Sequence, residues 1–169
     1  MNKNILYRRA VLQDCDNILG LIKELADFEK APEKVSITLE ELKSSGFGNI
    51  PIYTAYVAEL DQNLIGLALY YIRFSTWKGK RVYLEDLIVN SSFRGIGIGK
   101  RLFEICLEDT LNLGYKGLSW QVLDWNEPAI CFYKSYHSSL DKEWINGSLE
   151  EVQIQEILQK NKNKKYEGL

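Results

Sequence analysis

Val82-Tyr83-Leu84-Glu85-Asp86-Leu87-Ile88-Val89 runs through a polar corner into Arg94-Gly95-Ile96-Gly97-Ile98-Gly99-Lys100. The first half alternates and branches like a strand. The second half is a glycine-rich turn that opens a helix. Backbone N–H groups at a helix start lack intrahelical partners, and without side chains in the way they bind phosphates. Glu85 and Asp86 stand at the end of the same strand. One short segment therefore combines a phosphate cradle with two adjacent carboxylates.

The glycine spacing excludes two familiar cradles. A P-loop requires G-x-x-x-x-G-K followed by Ser or Thr for magnesium. Gly95 and Gly99 are one residue too close, and Arg101 follows Lys100. A dinucleotide fingerprint requires G-x-G-x-x-G, whereas Gly95, Gly97 and Gly99 are spaced G-x-G-x-G. The pattern Arg94-x-x-Gly97-x-Gly99 resembles the pyrophosphate loop of the GNAT family of acetyl-CoA-dependent N-acetyltransferases.

At 169 residues, 46% hydrophobic and 26% charged, the chain has the composition of one soluble globular domain. A net charge of -2 argues against nucleic-acid binding, which needs a basic face. No apolar run approaches the ~18 residues of a membrane span, and the first residues lack the apolar core of a signal peptide. Cys15, Cys106 and Cys131 are odd in number and far apart, so reduced thiols and a cytoplasmic location are expected. A single histidine, His137, does not build a metal site.

The expected elements begin with a strand over Ile5–Arg9 and a helix capped by Asp14 that runs to Phe28. A short helix capped by Thr38 covers Leu39–Ser45 and is ended by Gly46 and Gly48. Strands follow at Tyr53–Glu59 and Leu64–Phe74, joined at Asp61-Gln62-Asn63, and then at Val82–Val89. A helix over Gly99–Leu113, a strand over Gly117–Leu123 and a helix from Glu127 or Pro128 through Tyr133 come next. Trp144–Leu149 reads as a last strand or as a hairpin turn at Asn146-Gly147. Glu150–Lys160 has helical spacing, and the polar tail Lys162–Leu169 is expected to fray. The fold class is α/β, with a mixed, mostly antiparallel sheet flanked by helices. The same element order is that of the GNAT fold, and that resemblance implies splayed central strands.

A second motif, Trp125-Asn126-Glu127-Pro128-Ala129-Ile130-Cys131-Phe132-Tyr133-Lys134, resembles the segment that contacts the pantetheine arm in GNAT enzymes. Further stretches resemble the diamine acetyltransferases, the spermidine/spermine and thialysine group. These are Ile22–Glu29, Gly46-Phe47-Gly48, Trp77-x-Gly79-Lys80, Tyr83-Leu84-Glu85-Asp86 and Trp125-Asn126-Glu127-Pro128. Three departures bear on the acceptor. Ser135, Tyr136 and His137 replace arginines and a glycine, Ser75-Thr76 replaces an acid, and Lys142 replaces an acceptor-binding glutamate. A lysine in a site for cations repels them, which weighs against spermidine or spermine.

The resemblance implies acetyl-CoA as cosubstrate, a small amine as acceptor and a homodimer. The cofactor would be held by the backbone of Leu87, Ile88 and Val89, by the loop from Arg94 through Gly95, Ile96, Gly97, Ile98 and Gly99 to Lys100, and by Asn126 and Tyr133. The Leu87 N–H would face the developing oxyanion, and Tyr133 would protonate the departing sulfur. A free alkylamine, with a pKa near ~10.4, is neutral in only about one molecule in a thousand at pH 7, a handicap of roughly 4 kcal/mol. Glu85, acting through a water, is the candidate base, with Asp86 as the alternative if a bulge turns it to the same face. Glu29, Glu85, Asp86, Trp77 and Trp144 are the candidate acceptor-binding residues, the indoles through cation–π contact. Cys131 as an acyl carrier is the rival mechanism, weakened by the absence of a placed histidine base. The rival functions are acetylation of a protein N-terminus or lysine, and non-catalytic acyl-CoA binding.

Overall fold

The computed structural model describes residues 4–166. The chain divides into two compact units, Met1–Gln121 and Val122–Leu169.

The first unit is built on a five-stranded sheet in sequential order: β1 (Leu6–Arg9), β2 (Thr54–Leu60), β3 (Asn63–Ser75), β4 (Gly79–Val89) and β5 (Leu118–Trp120). The first four strands are antiparallel, and β5 pairs parallel to β4. The β2–β3 turn is tight because Asp61 and Gln62 both take positive φ, 50° and 65°, as a two-residue hairpin of right-handed twist requires.

Helices α1 (Cys15–Phe28) and α2 (Leu39–Phe47) cover one sheet face. Their apolar side chains Cys15, Ile18, Leu21 and Leu42 close a core with Ala55, Val57, Leu67, Leu69 and Ile88. Helix α3 (Ile98–Asn112) covers the other face with Leu102, Phe103 and Cys106. Gly66 permits its close approach, because a Cβ there would stand 3.0 Å from Leu102 Cδ1 and 3.1 Å from Ile98 Cγ2.

Thr38 caps α2 as expected, its hydroxyl accepting from Glu41 N at 3.2 Å. Asp14 precedes α1 but does not cap it through its side chain. Its carboxylate instead takes both guanidinium arms of Arg8, at 2.6 and 2.9 Å, and the Val11 N–H at 2.8 Å. Gly46 does not stop α2. It lies within the helix, against the Tyr53 ring, where any Cβ would overlap the phenol.

The second unit carries α4 (Glu127–Lys134) and α5 (Glu151–Tyr166). Asn126 caps α4, accepting from Ala129 N at 3.3 Å. His137 has φ 57° and its N–H donates to the Lys134 carbonyl, so it takes the left-handed position that glycine usually fills after a helix. The last strand expected over Trp144–Leu149 is absent: the segment pairs with no described strand. Residues 167–169 of the tail expected to fray lie outside the described residues. Among those described, no helix is long and apolar enough to cross a membrane.

Candidate active site

Strand β4 decides the site's geometry. Its register against β3 pairs Leu84 with Tyr70 and Asp86 with Leu69, which leaves Glu85 as an extra residue. Such a bulge reverses the phase of everything downstream. Before it, the Val82 N–H points toward β5 and bonds the Gly117 carbonyl at 3.1 Å. After it, the Asn90 N–H points toward β3 and bonds the Ile65 carbonyl at 2.9 Å. Alternation back from Asn90 turns Ile88 and Asp86 toward β3, and Leu87 and Val89 away from it. Without the extra residue, Leu87 would face β3.

No described strand pairs with the side of β4 facing away from β3 at that level. Pairing with β5 covers only Val82, Leu84 and the residue between them, and it ends at Leu84–Trp120. Strand β5 is shorter than the expected Gly117–Leu123 and gives out opposite the bulge. The β4–β5 pairing therefore stops short of Glu85 and of the N–H groups of Leu87 and Val89.

The same bulge gathers side chains. Tyr71 pairs with Tyr83, and Leu69, two residues earlier on β3, pairs with Asp86, so Tyr83 and Asp86 share a face. The Glu85 charge is felt there: it raises the pKa of Tyr71, Tyr83 and Asp86. For both tyrosines burial is the larger cause. Asp86 is pushed up to about 6, first by burial and then by the charges of Glu85 and Glu29. Glu29 lies just past the end of α1, and partial burial raises its own pKa. Asp86 thus lies within electrostatic reach of both Glu29 and Glu85, and Glu85 also acts on Tyr71 and Tyr83, whose ring centroids are 5.2 Å apart.

At the other end of this segment, Gly95 and Gly97 take φ of 79° and 90°, which only glycine adopts without strain. Gly97 opens α3 with no side chain capping the first turn, so the N–H groups of that turn are left for a ligand. Ile98 is buried and anchors the turn, Ile96 and Lys100 are exposed, and Ile88 packs in the core. A hydrogen-bond brace that the sequence does not advertise steadies the corner. Glu24 of α1 accepts from Asn90 Nδ2 at 2.9 Å and from Ser91 N at 3.0 Å. Arg94 donates from Nε to the Val89 carbonyl at 2.9 Å and stacks over Phe28 at 4.8 Å. An uncapped helix start, a left-handed glycine nest and a strand edge past the end of β5 suit a pyrophosphate and an extended amide-bearing arm.

The other sequence candidates lie elsewhere along the chain. Trp77 is exposed at the β3–β4 turn. In the second unit, Tyr133 is buried with its ring 5.1 Å from Phe132, Cys131 is exposed on α4, and Trp144 is exposed outside any regular element. No cluster of metal-ligating side chains occurs among the described residues.

Comparison with known proteins places these features in a family. The family model described as "Acetyltransferase (GNAT) family" matches residues 21–137. A thialysine N-epsilon-acetyltransferase of Bos taurus is 41% identical over 139 residues, covering 78% of this chain and 82% of that protein. A spermidine/spermine N(1)-acetyltransferase-like protein of Homo sapiens is 34% identical over 139 residues, 76% of this chain and 19% of the longer relative. An aminoglycoside N-acetyltransferase solved with CoA superposes with a TM-score of 0.71 at 18% identity, covering 89% of this chain and 97% of that one.

Proposed function

Because the chain belongs to the GNAT acetyltransferase family, we propose that it transfers the acetyl group of acetyl-CoA directly to the primary amine of a small cationic acceptor. The observation that carries the reading is the bulge at Glu85, where Asp86 feels two further carboxylates just past the point at which β5 stops pairing. The family match runs across both compact units, which supports a single acetyltransferase domain.

Acetyl-CoA supplies an activated thioester. The N–H groups at the start of α3 and the exposed Lys100 hold its pyrophosphate, while Leu87, Val89 and Asn126 bond its extended arm. Ile88 contributes packing alone. The Leu87 N–H donates to the thioester oxygen as negative charge grows on it, an interaction strongest in the transition state. Glu29, Glu85 and Asp86 attract the protonated acceptor, with the exposed indoles of Trp77 and Trp144 offered to its chain. One of the two adjacent carboxylates then accepts the amine proton, Glu85 through a water or Asp86, whose raised pKa lies closer to neutrality. The Tyr133 hydroxyl supplies the proton that the departing thiolate needs. Cys131 as an acyl carrier is the weaker mechanism, since the sequence places no histidine base for it.

The acceptor is a lysine-like amino acid or short diamine, by likeness to the thialysine relatives, rather than a long polyamine. The buried free thiols of Cys15 and Cys106 fit a cytoplasmic setting. Exposed apolar residues Trp144, Ile145 and Leu149 fit the homodimer that the family likeness implies, which sedimentation would measure.

Thiol release from acetyl-CoA, followed with DTNB over a panel of diamines, lysine analogues, polyamines and peptides, tests the function. Thiol release with small amines supports it. Release with peptides alone points to a protein acetyltransferase, and CoA binding without release points to a binding module.

A further inference from the structure

A pocket of about 360 Å³ opens at the β3–β4 turn, lined by Trp77, Lys78, Gly79, Arg81 and Lys116. Three of its five lining residues are cations and none is an acid. Among the described residues, no ion pair neutralises Lys78, Arg81 or Lys116. In a chain of net charge -2, such a concentration of unpaired positive charge is a local feature.

Arg81 is held in place. Its guanidinium lies on the backbone of Gly117, where a Cβ would come within 2.5 Å of Nη2, and Nη2 donates to the Leu118 carbonyl at 3.2 Å. One N–H is spent on this anchor, and the remaining donors of the planar fork suit a carboxylate. Lys116, one residue before Gly117, is exposed beside it.

The pocket lies on the same strand as the carboxylates. Arg81 and Tyr83 alternate onto one face, and the bulge keeps Asp86 on that face. Arg73, paired with Arg81 across the ladder, stands 5.5 Å from the Tyr83 ring. This face therefore runs from acids at Glu85 and Asp86, past the Tyr71–Tyr83 pair, to cations at the turn. Arg81 and Glu85 are four residues apart on β4, a span of about 13 Å at ~3.3 Å per residue. A molecule laid along it meets negative charge at one end and positive charge at the other.

We propose that this pocket is an anion subsite of the acceptor site. Arg81, with Lys78 and Lys116, binds the carboxylate of an amino-acid acceptor whose side-chain amine meets the acids at the bulge. The proposal rests on the acetyl transfer to a small amine proposed above and adds the chemistry of the acceptor's far end. A diamine of the same length lacks the group that this pocket holds.

Matched pairs test it: lysine against cadaverine, and ornithine against putrescine, each differing only in the carboxylate. In the parent enzyme kcat/KM should favour the amino acid about tenfold or more, the scale of one charge-assisted contact. Arg81→Gln and Lys116→Gln should each raise KM for lysine several-fold, leave CoA affinity unchanged and lower KM for cadaverine, whose far ammonium those cations repel. Lys116 is exposed, so its variant keeps the fold even if Arg81→Gln does not. A lysine-to-cadaverine ratio unmoved by Lys116→Gln or by a folded Arg81→Gln overturns the subsite while leaving acetyl transfer intact. Weakened CoA binding in those variants assigns the pocket to the cofactor and also overturns it. Absence of thiol release with every amine overturns both readings together.

Discussion

Asp86→Asn should stabilise the protein at neutral pH while costing it acceptor affinity. Asp86 ionises near 6 in the folded chain against an ordinary value of 3.8, because burial and the charges of Glu85 and Glu29 oppose its anion. Between those two values the unfolded chain has released the proton and the folded chain keeps it. Stability on this group's account therefore falls as pH rises through the window and levels off above pH 6. The accumulated penalty is about 3 kcal/mol, at about 1.36 kcal/mol per pKa unit. Asparagine is nearly isosteric and carries no charge. Denaturant melts should show parent and variant alike near pH 4, with the variant pulling ahead up to about pH 6.5. For a chain of this size the gain is worth an increase in Tm of about 6–12 °C at pH 7.5. The acceptor should show the converse: its KM in the parent rises below pH 6 as Asp86 protonates, and that inflection disappears in the variant. A variant less stable than the parent at pH 7.5, or a stability difference that stays flat from pH 4 to 8, would refute the account. Asp86 would then have a compensating cation rather than two acidic neighbours.

Tyr133→Phe keeps the buried ring, so melting and CoA affinity should hold while kcat falls by about 10² or more; near-parental kcat across pH would leave the tyrosine a packing residue. Gly99 is free of positive φ, and a Cβ there meets Val89 Cγ2 at an ordinary 3.4 Å. Gly99→Asp should therefore fold yet lose CoA affinity through charge repulsion, as read by calorimetry. Lys142→Glu should raise spermine turnover relative to lysine, and an unchanged ratio removes Lys142 from the choice of acceptor.

The sequence by itself determined the elements whose causes are local. Glycines at 95, 97 and 99 mark a left-handed turn and an uncapped helix, and the periodic apolar residues after them mark α3. Asp61 and Gln62 tolerate a tight hairpin, and Thr38 with Glu41 writes out a capping box. The family motifs followed from the same local patterns, because a phosphate cradle is made by adjacent residues. What depends on pairing between distant segments was decided by the tertiary structure alone. Nothing in Tyr83-Leu84-Glu85-Asp86 says that Glu85 will be the extra residue, since a bulge is a mismatch between two strands. Yet the bulge turns the Leu87 N–H outward, puts Asp86 on the Tyr83 face and brings it within reach of Glu29, some fifty-seven positions earlier in the chain. The strand expected over Trp144–Leu149 failed for the same reason: strand propensity is local, but a strand exists only with a partner edge, and no described strand supplies one. Asp14 too had a local role available as a cap, and lost it to an arginine that the fold brings from β1. The sequence carries the chemistry a side chain can do, while the fold sets the neighbours that shift its charge, its direction and its partner.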